Sequence, residues 1–234
     1  MRILIVDMAK KTILLAEDED AVREGLVFLF ESEGYAVRAV PDGVQAVEAF
    51  HARRPDLVLL DVMMPGKNGF VVCREILAQD STVPVLFLTA KDSEADELRG
   101  LMLGATDYIS KTTSQAVLLA RVANALARVA AVSVPGEGFA FAGFHVDTAQ
   151  NRLIVPGGEP VDLTLREVEI LRCFSAHPNE LLSRDFLLTR FWGVDFEGNE
   201  SVVSVAISRL RDKLGTCGSR IETVYGTGYR FALV

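Results

Sequence analysis

The chain has 234 residues, of which 50% are hydrophobic and 24% charged, with a formal net charge of −8 and an isoelectric point near 5.0. This is globular composition, which excludes a disordered chain and suits one large domain or two of ordinary size. The acidity weighs against nucleic acid as a partner, because phosphate contacts need clustered Lys and Arg.

At the start, Arg2–Asp7 (RILIVD) and Thr12–Asp20 (TILLAEDED) both look like a short buried strand ending in acid. The first is too short for a signal-peptide core. Residues 1–11 are therefore an extension, with an added edge strand as the alternative. From Thr12 the pattern alternates. The runs TILLA, YAVRAV, DLVLL, PVLFLT and DYIS predict five buried strands. Helices are expected between them, near Asp20–Ser32, Gly43–Arg53, Gly69–Gln79, Ser93–Leu103 and Ser114–Ala130. Five strands alternating with five helices predict an α/β domain over residues 12–132. Its sheet is a doubly wound, five-stranded parallel one with ligands at the carboxyl ends of the strands. Ala116–Val134 is the most membrane-like stretch, but Arg121, Asn124 and Arg128 interrupt it. Leu118, Val122, Leu126 and Val129 share one face, so an amphipathic helix is expected there and no membrane span.

Residues 133–138 (SVPGEG) carry the Pro and Gly of a linker. Beyond it, residues 139–234 predict a smaller α+β domain. Strand-like pieces lie around Phe139–Asp147 and Arg152–Val155, with a turn at Pro156–Gly158. Helices are expected near Thr164–His177, Ser183–Trp192 and Ser201–Leu214. A terminal hairpin, Arg220–Tyr225 and Tyr229–Leu233, turns at Gly226-Thr227-Gly228. The three cysteines (Cys73, Cys173, Cys217) and three histidines are scattered, without metal or redox spacing. Sparse thiols suit a reducing, cytoplasmic setting.

The chemistry sits at the strand ends. The first strand ends at Glu17 and Asp18, the third at Asp61, the fourth at Thr89, and the fifth is followed by Lys111. Three carboxylates brought together repel unless a cation joins them. Oxygen ligands with few dedicated groups suit Mg2+. A carboxylate beside Mg2+ and a lysine can attack a phosphoryl group, and Thr89 can hydrogen-bond one of its oxygens. Singly, each of these residues is more simply a loop cap, a strand terminator or a solvated side chain. Their joint occurrence at matching strand ends is the signal.

At these residues, Thr12 to about Ala130 resembles the receiver domain of bacterial two-component response regulators. The motif set is the acidic pair, Asp61 with Pro65 and Gly69, then Thr89-Ala90, then Asp107-Tyr108 with Lys111. The resemblance implies that Asp61 is the phosphoacceptor. It implies that Asp18 and Asp61 hold Mg2+ directly, Glu17 through water, with the Met63 carbonyl contributing. It makes Thr89 and Tyr108 a switch pair. Asp18 lies 43 residues before Asp61, close to the family spacing, whereas Asp7 lies 54 before. There are departures. Lys111-Thr112-Thr113 replaces the usual Lys-Pro-Phe, which disfavours a cis peptide. Members with this output type often dimerise through their fourth and fifth helices. Asp107 and Arg121 match one ion pair of that interface, but Glu97 and Val117 lack the usual charges of another.

A second resemblance covers Phe139–Val234. LTLREVEILRCF, LLSRDFLLTRFWG, VSVAISRLRDKLG and IETVYGTGYRFALV resemble the winged-helix DNA-binding domain of OmpR/PhoB-type regulators. On the third helix, Val203, Ile207, Leu210 and Leu214 form a core stripe. The opposite face carries Ser201, Val205, Ser208, Arg209 and Asp212, flanked by Ser204 and Arg211. Arg209 suits a guanine edge and Val205 a thymine methyl. Thr227 or Tyr229 on the ribbon would meet the phosphate backbone. Family members usually carry more arginines here, where this chain has Ser201, Ser204, Ala206, Ser208 and Tyr225. The resemblance lets the loop Gly193–Glu200 touch RNA polymerase, and its acids and glycines equally suit a plain surface connection.

Together these features predict a regulator rather than an enzyme. A sensor histidine kinase phosphorylates Asp61, and the chain dimerises on activation and binds double-stranded DNA to control transcription. Two alternatives stand beside it. One is a phosphorylation-independent regulator of the same fold. The other is a Mg2+-dependent phosphotransfer or phosphatase enzyme. The opening objection from charge narrows rather than disappears. Ser201–Val234 has five basic and two acidic side chains, so any DNA contact is confined to one helix and one ribbon.

Overall fold

The computed structural model describes residues 10–90, 94–132, 138–193, 196 and 201–233. The extension to Ala9, most of the linker and most of the Gly193–Glu200 loop lie outside the described residues.

Five strands form the first sheet: β1 (Thr12–Ala16), β2 (Ala36–Val40), β3 (Leu57–Leu60), β4 (Val85–Thr89) and β5 (Asp107–Ser110). All pair in parallel, in the order β2-β1-β3-β4-β5. Every residue of β3 and β4 is buried, as expected of strands covered on both faces. The covering helices are α1 (Asp20–Ser32), α2 (Gly43–Ala52), α3 (Gly69–Gln79), α4 (Glu94–Met102) and α5 (Gln115–Val132). Asp42 caps α2 by accepting from the Val44 and Gln45 amides, and Asn68 caps α3 by accepting from Val71. The start of α3 is pressed against the end of β3. A Cβ at Gly69 would lie 2.2 Å from the Asp61 carbonyl oxygen, so only glycine fits there. One apolar core fills each side of the sheet.

The second half begins with four antiparallel strands, β6 (Phe139–Phe141), β7 (Phe144–Asp147), β8 (Arg152–Ile154) and β9 (Val161–Asp162). The strand-like pieces expected around Phe139–Asp147 form a hairpin that turns at Ala142 and Gly143, which take φ of 49° and 87°. Three helices follow: α6 (Leu165–Ala176), α7 (Arg184–Trp192) and α8 (Ser201–Leu214). Thr164 and Glu167 form a capping box at the start of α6. The strand β10 (Leu181–Ser183) precedes α7 and was not foreseen. It pairs with β12 (Gly228–Phe231), which also pairs with β11 (Ile221–Val224). Phe231 is fully buried and stacks against Phe141, Phe144 and Phe174, with ring centroids 4.6, 6.1 and 6.0 Å away. It ties the C-terminal ribbon to the first antiparallel sheet.

The two halves touch. α8 packs against α4, and α6 against α5. Leu101 of α4 packs with the apolar core of the second half. No helix among the described residues is long and apolar enough to cross a membrane. In α5, Leu118, Val122 and Leu126 are buried.

Candidate functional site

The backbone ladder carries the acidic residues to one edge. The Glu17 amide donates to the Val40 carbonyl at 3.1 Å, the Asp61 amide to Ala16 at 2.9 Å and the Lys111 amide to Thr89 at 3.0 Å. Carboxylate oxygens of Glu17, Asp18 and Asp61 consequently lie within 4.8 Å of one another. Glu17 and Asp61 are 1% and 5% exposed, while Asp18 faces solvent. The Lys111 ammonium bridges the two buried acids, 2.7 Å from Glu17 Oε2 and 2.8 Å from Asp61 Oδ2. The second Asp61 oxygen accepts from the Met63 amide at 3.2 Å.

Burial pushes the Glu17 carboxyl above its ordinary range, even though Lys111 opposes the shift. Burial works against the charged form of Lys111, but its hydrogen bonds to Asp61 and Glu17 outweigh that and hold its pKa above the ordinary value. The pocket thus holds more negative charge than one lysine relieves comfortably. Three oxygen donors, one of them open to water, with no nitrogen or sulfur ligand among them, form a set compatible with a hard divalent cation.

Thr89 ends β4 and is fully buried. Tyr108 lies inside, with its ring 5.6 Å from that of Phe87. Helix α4 sits directly over this pair. A Cβ at Gly100 would lie 2.9 Å from the Phe87 ring and 3.1 Å from the Tyr108 ring. The peptide bonds of the described residues are all trans, including the one after Lys111. Arg121 pairs with Asp107 of its own chain at 3.0 Å. Its guanidinium also lies 5.7 Å from the Phe196 ring in the loop before α8. Glu97 lies in α4, with its side chain outside the described residues.

On α8, the stripe Val203, Ile207, Leu210 and Leu214 is buried as the spacing requires. Ser208 and Thr227 are exposed, and Ser201, Ser204 and Val205 are half-buried. Two of the expected DNA contacts are held by bonds within the chain. Tyr229 is only 3% exposed, and its hydroxyl donates to Ser204 Oγ at 2.9 Å. Arg211 donates to the Ile221 carbonyl at 2.6 Å and to Thr223 Oγ1 at 2.9 Å. Both therefore fasten α8 to the ribbon instead of projecting from it. Arg209 is also engaged: Nη1 donates to the Leu101 carbonyl at 3.0 Å, and Nη2 lies 3.4 Å from Glu167 Oε1. Sequence reasoning missed Glu167, which the chain uses twice more beyond its pairing with Arg209. It closes the capping box at Thr164 and pairs with Lys213 at 2.6 Å. The T-L-R-E spacing was its signal.

Residues 13–123 match the response regulator receiver domain family, and residues 158–231 match the family described as transcriptional regulatory protein, C terminal. The transcriptional regulatory protein CseB of Streptomyces avermitilis is 41% identical over 236 residues, covering 95% of this chain and 99% of that one. The sensory transduction protein RegX3 of Mycolicibacterium smegmatis is 36% identical over 224 residues, covering 94% and 98%. Among solved structures, a RitR mutant superposes with a TM-score of 0.75 at 25% identity, covering 94% of this chain and 98% of that one. A response regulator receiver domain is thus joined to a transcriptional output domain in one chain. The chain belongs to the two-component response regulators of the OmpR type, which control transcription. That membership accounts for the C-terminal half, which a phosphatase reading leaves without a purpose.

Proposed function

We propose that Asp61 accepts a phosphoryl group from the phosphohistidine of a sensor kinase. The observation that carries this is the bridged pocket: a buried Asp61 and Glu17 share Lys111 beside an exposed Asp18. Glu17, Asp18, Asp61 and the Met63 carbonyl would hold Mg2+. When bound, the cation neutralises charge on the transferring phosphoryl oxygens. An Asp61 oxygen attacks phosphorus, the phosphorus–nitrogen bond breaks, and the imidazole keeps the electron pair. Lys111 stays close enough to offset the new charge, and the Thr89 hydroxyl is the group at the next strand end to bond it. Thr89 and Tyr108 then act as the switch pair: Thr89 ends β4 and is buried, and the Tyr108 ring lies under α4 at Gly100. Incubation with a small acyl-phosphate donor and Mg2+ should add one phosphoryl group per chain, on the peptide containing Asp61. Labelling at another residue would contradict the assignment.

The receiver is taken to end at 132, the linker to span 133–138 and the winged-helix domain to begin at 139. Activated chains pair through the α4–β5–α5 face, where Asp107 and Arg121 lie. Ser201, Ser204, Val205, Ser208, Arg209 and Thr227 face DNA, with Arg211 and Tyr229 setting the angle between helix and ribbon. The loop 193–200 is the candidate surface for RNA polymerase, and the setting is cytoplasmic.

Few cations reach the DNA face, so binding should be weak and should depend shallowly on salt. Each phosphate contact contributes a slope of about −0.9 in log K against log salt. The expected slope, measured by titration at several salt concentrations, corresponds to about five contacts or fewer. A slope matching about ten contacts would contradict it. Affinity must then come from two copies acting on one DNA through effective concentration.

A further inference from the structure

Helix α1 (DAVREGLVFLFES) carries a cation near its start, where the helix end is itself positive and favours anions. That cation is Arg23, whose side chain is only 19% exposed. The loop before the helix holds it. Nη1 donates to the Glu17 carbonyl at 2.9 Å and to the Asp18 carbonyl at 3.4 Å, and Nη2 pairs with Asp20. One guanidinium therefore spans the turn from β1 into α1. Little else fixes this turn. Glu19, at the N-cap, makes no side-chain cap bond, and its amide reaches back to Glu17 Oε1 at 3.3 Å.

The three acids of the pocket are held unequally. Glu17 and Asp61 are buried, tied to the sheet through their amides and bridged by Lys111. Asp18 is exposed, and among the described residues the bond from Arg23 to its carbonyl is the one hydrogen bond it makes. Arg23 can act on a cation here in two opposed ways. Its charge repels the ion. Its bonds hold the Asp18 backbone beside Glu17 before the ion arrives, so less freedom is lost on binding. Pairing with Asp20 offsets the charge, which leaves the ordering effect the larger.

We propose that Arg23 is a positioning residue for the cation: through the carbonyls of Glu17 and Asp18 it sets the affinity for Mg2+ and, where the ion is scarce, the rate of Asp61 phosphorylation. Arginine suits this task better than lysine, because its planar fork reaches two carbonyls and a carboxylate together. The inference rests on the proposal that Glu17, Asp18 and Asp61 hold Mg2+.

The test is calorimetric titration of the full chain with Mg2+, with labelling of Asp61 from acetyl phosphate followed across a range of Mg2+. Arg23→Ala should weaken Mg2+ binding about tenfold, the scale on which residues that orient metal ligands act. Its labelling should need about tenfold more Mg2+ to half-saturate and still reach the parent's plateau, a split that general damage to the fold would not produce. Arg23→Lys, with fewer donors, should fall between the two, and it carries the test alone should the alanine variant not fold. Affinity in the variants equal to the parent's, or tighter, overturns the positioning role, because loss of repulsion would then match or exceed loss of order. A lower plateau at unchanged half-saturation overturns it as well. Absence of Mg2+ binding by the parent, with labelling that does not need Mg2+, overturns the cation site itself and this inference with it.

Discussion

Asp61→Asn should reduce phosphoryl labelling to background while leaving the fold intact. Asparagine keeps the shape of the side chain and one oxygen that can still accept from Lys111, as Asp61 Oδ2 does at 2.8 Å, while the bond that Asp61 Oδ1 accepts from the Met63 amide at 3.2 Å is lost. It loses the charge and the nucleophilic oxygen. An amide is a poor attacking group, and the chemistry here is mostly positioning and electrostatics around one attacking oxygen. Neither neighbouring acid can substitute. Glu17 is 1% exposed and occupied by Lys111, and Asp18 stands on the solvent side. The measurement is incorporation from acetyl phosphate in the presence of Mg2+, with circular dichroism as the control for folding. Labelling of the variant at the parent's rate would place the acceptor elsewhere.

Lys111→Met should give the largest stability loss at the site, and the loss should depend on Mg2+. Removing one partner of a buried ion pair leaves an uncompensated charge, which costs about 3–5 kcal/mol. Here two carboxylates lose the same cation. Lys111 keeps some solvent contact, so the lower end of that range, about 3 kcal/mol, is expected. The pH dependence has a definite sign. Burial already raises the pKa of Glu17 above its ordinary value of 4.5, and loss of Lys111 raises it further. A group with a raised folded pKa favours the folded state below the unfolded pKa and loses that advantage as pH rises through the folded one. The penalty in Lys111→Met should therefore be small below pH 4.5 and grow toward neutrality. A cation bound only by the folded chain restores stability by linkage. Urea unfolding with and without millimolar Mg2+ checks this. A penalty of the same size in both conditions would contradict a cation site formed by Glu17, Asp18 and Asp61.

Much of this was legible in the sequence for a physical reason. Strands buried on both faces read as unbroken apolar runs, and those runs located β1 to β5 nearly to the residue. The acids were legible because a doubly wound sheet gathers its strand ends. What escaped was set by contacts between distant segments. β10 is three residues long and forms only because β12 arrives beside it. Helical spacing puts Arg209 on the face of α8 opposite its core stripe, but it cannot say what covers that face. The clue in the receiver was weak: Leu101 is an apolar residue in the stretch EADELRGLM, where charged and apolar residues are mixed as on an ordinary amphipathic helix. The burial of Tyr229 was legible. Tyr229 stands two residues from Phe231 on a strand, and period-two alternation puts both on the buried side with Arg230 outside.

The central claim is that phosphorylation of Asp61 governs DNA binding and pairing of the chain. The most direct measurement is the affinity of the full chain for its selected duplex, with and without beryllofluoride and Mg2+, alongside the fraction of dimer by sedimentation. The account predicts binding at least tenfold tighter and a rise in dimer on adding beryllofluoride, with both changes absent in Asp61→Asn. Equal affinity and equal dimer fraction in the two conditions would contradict it and favour a regulator that works without phosphorylation.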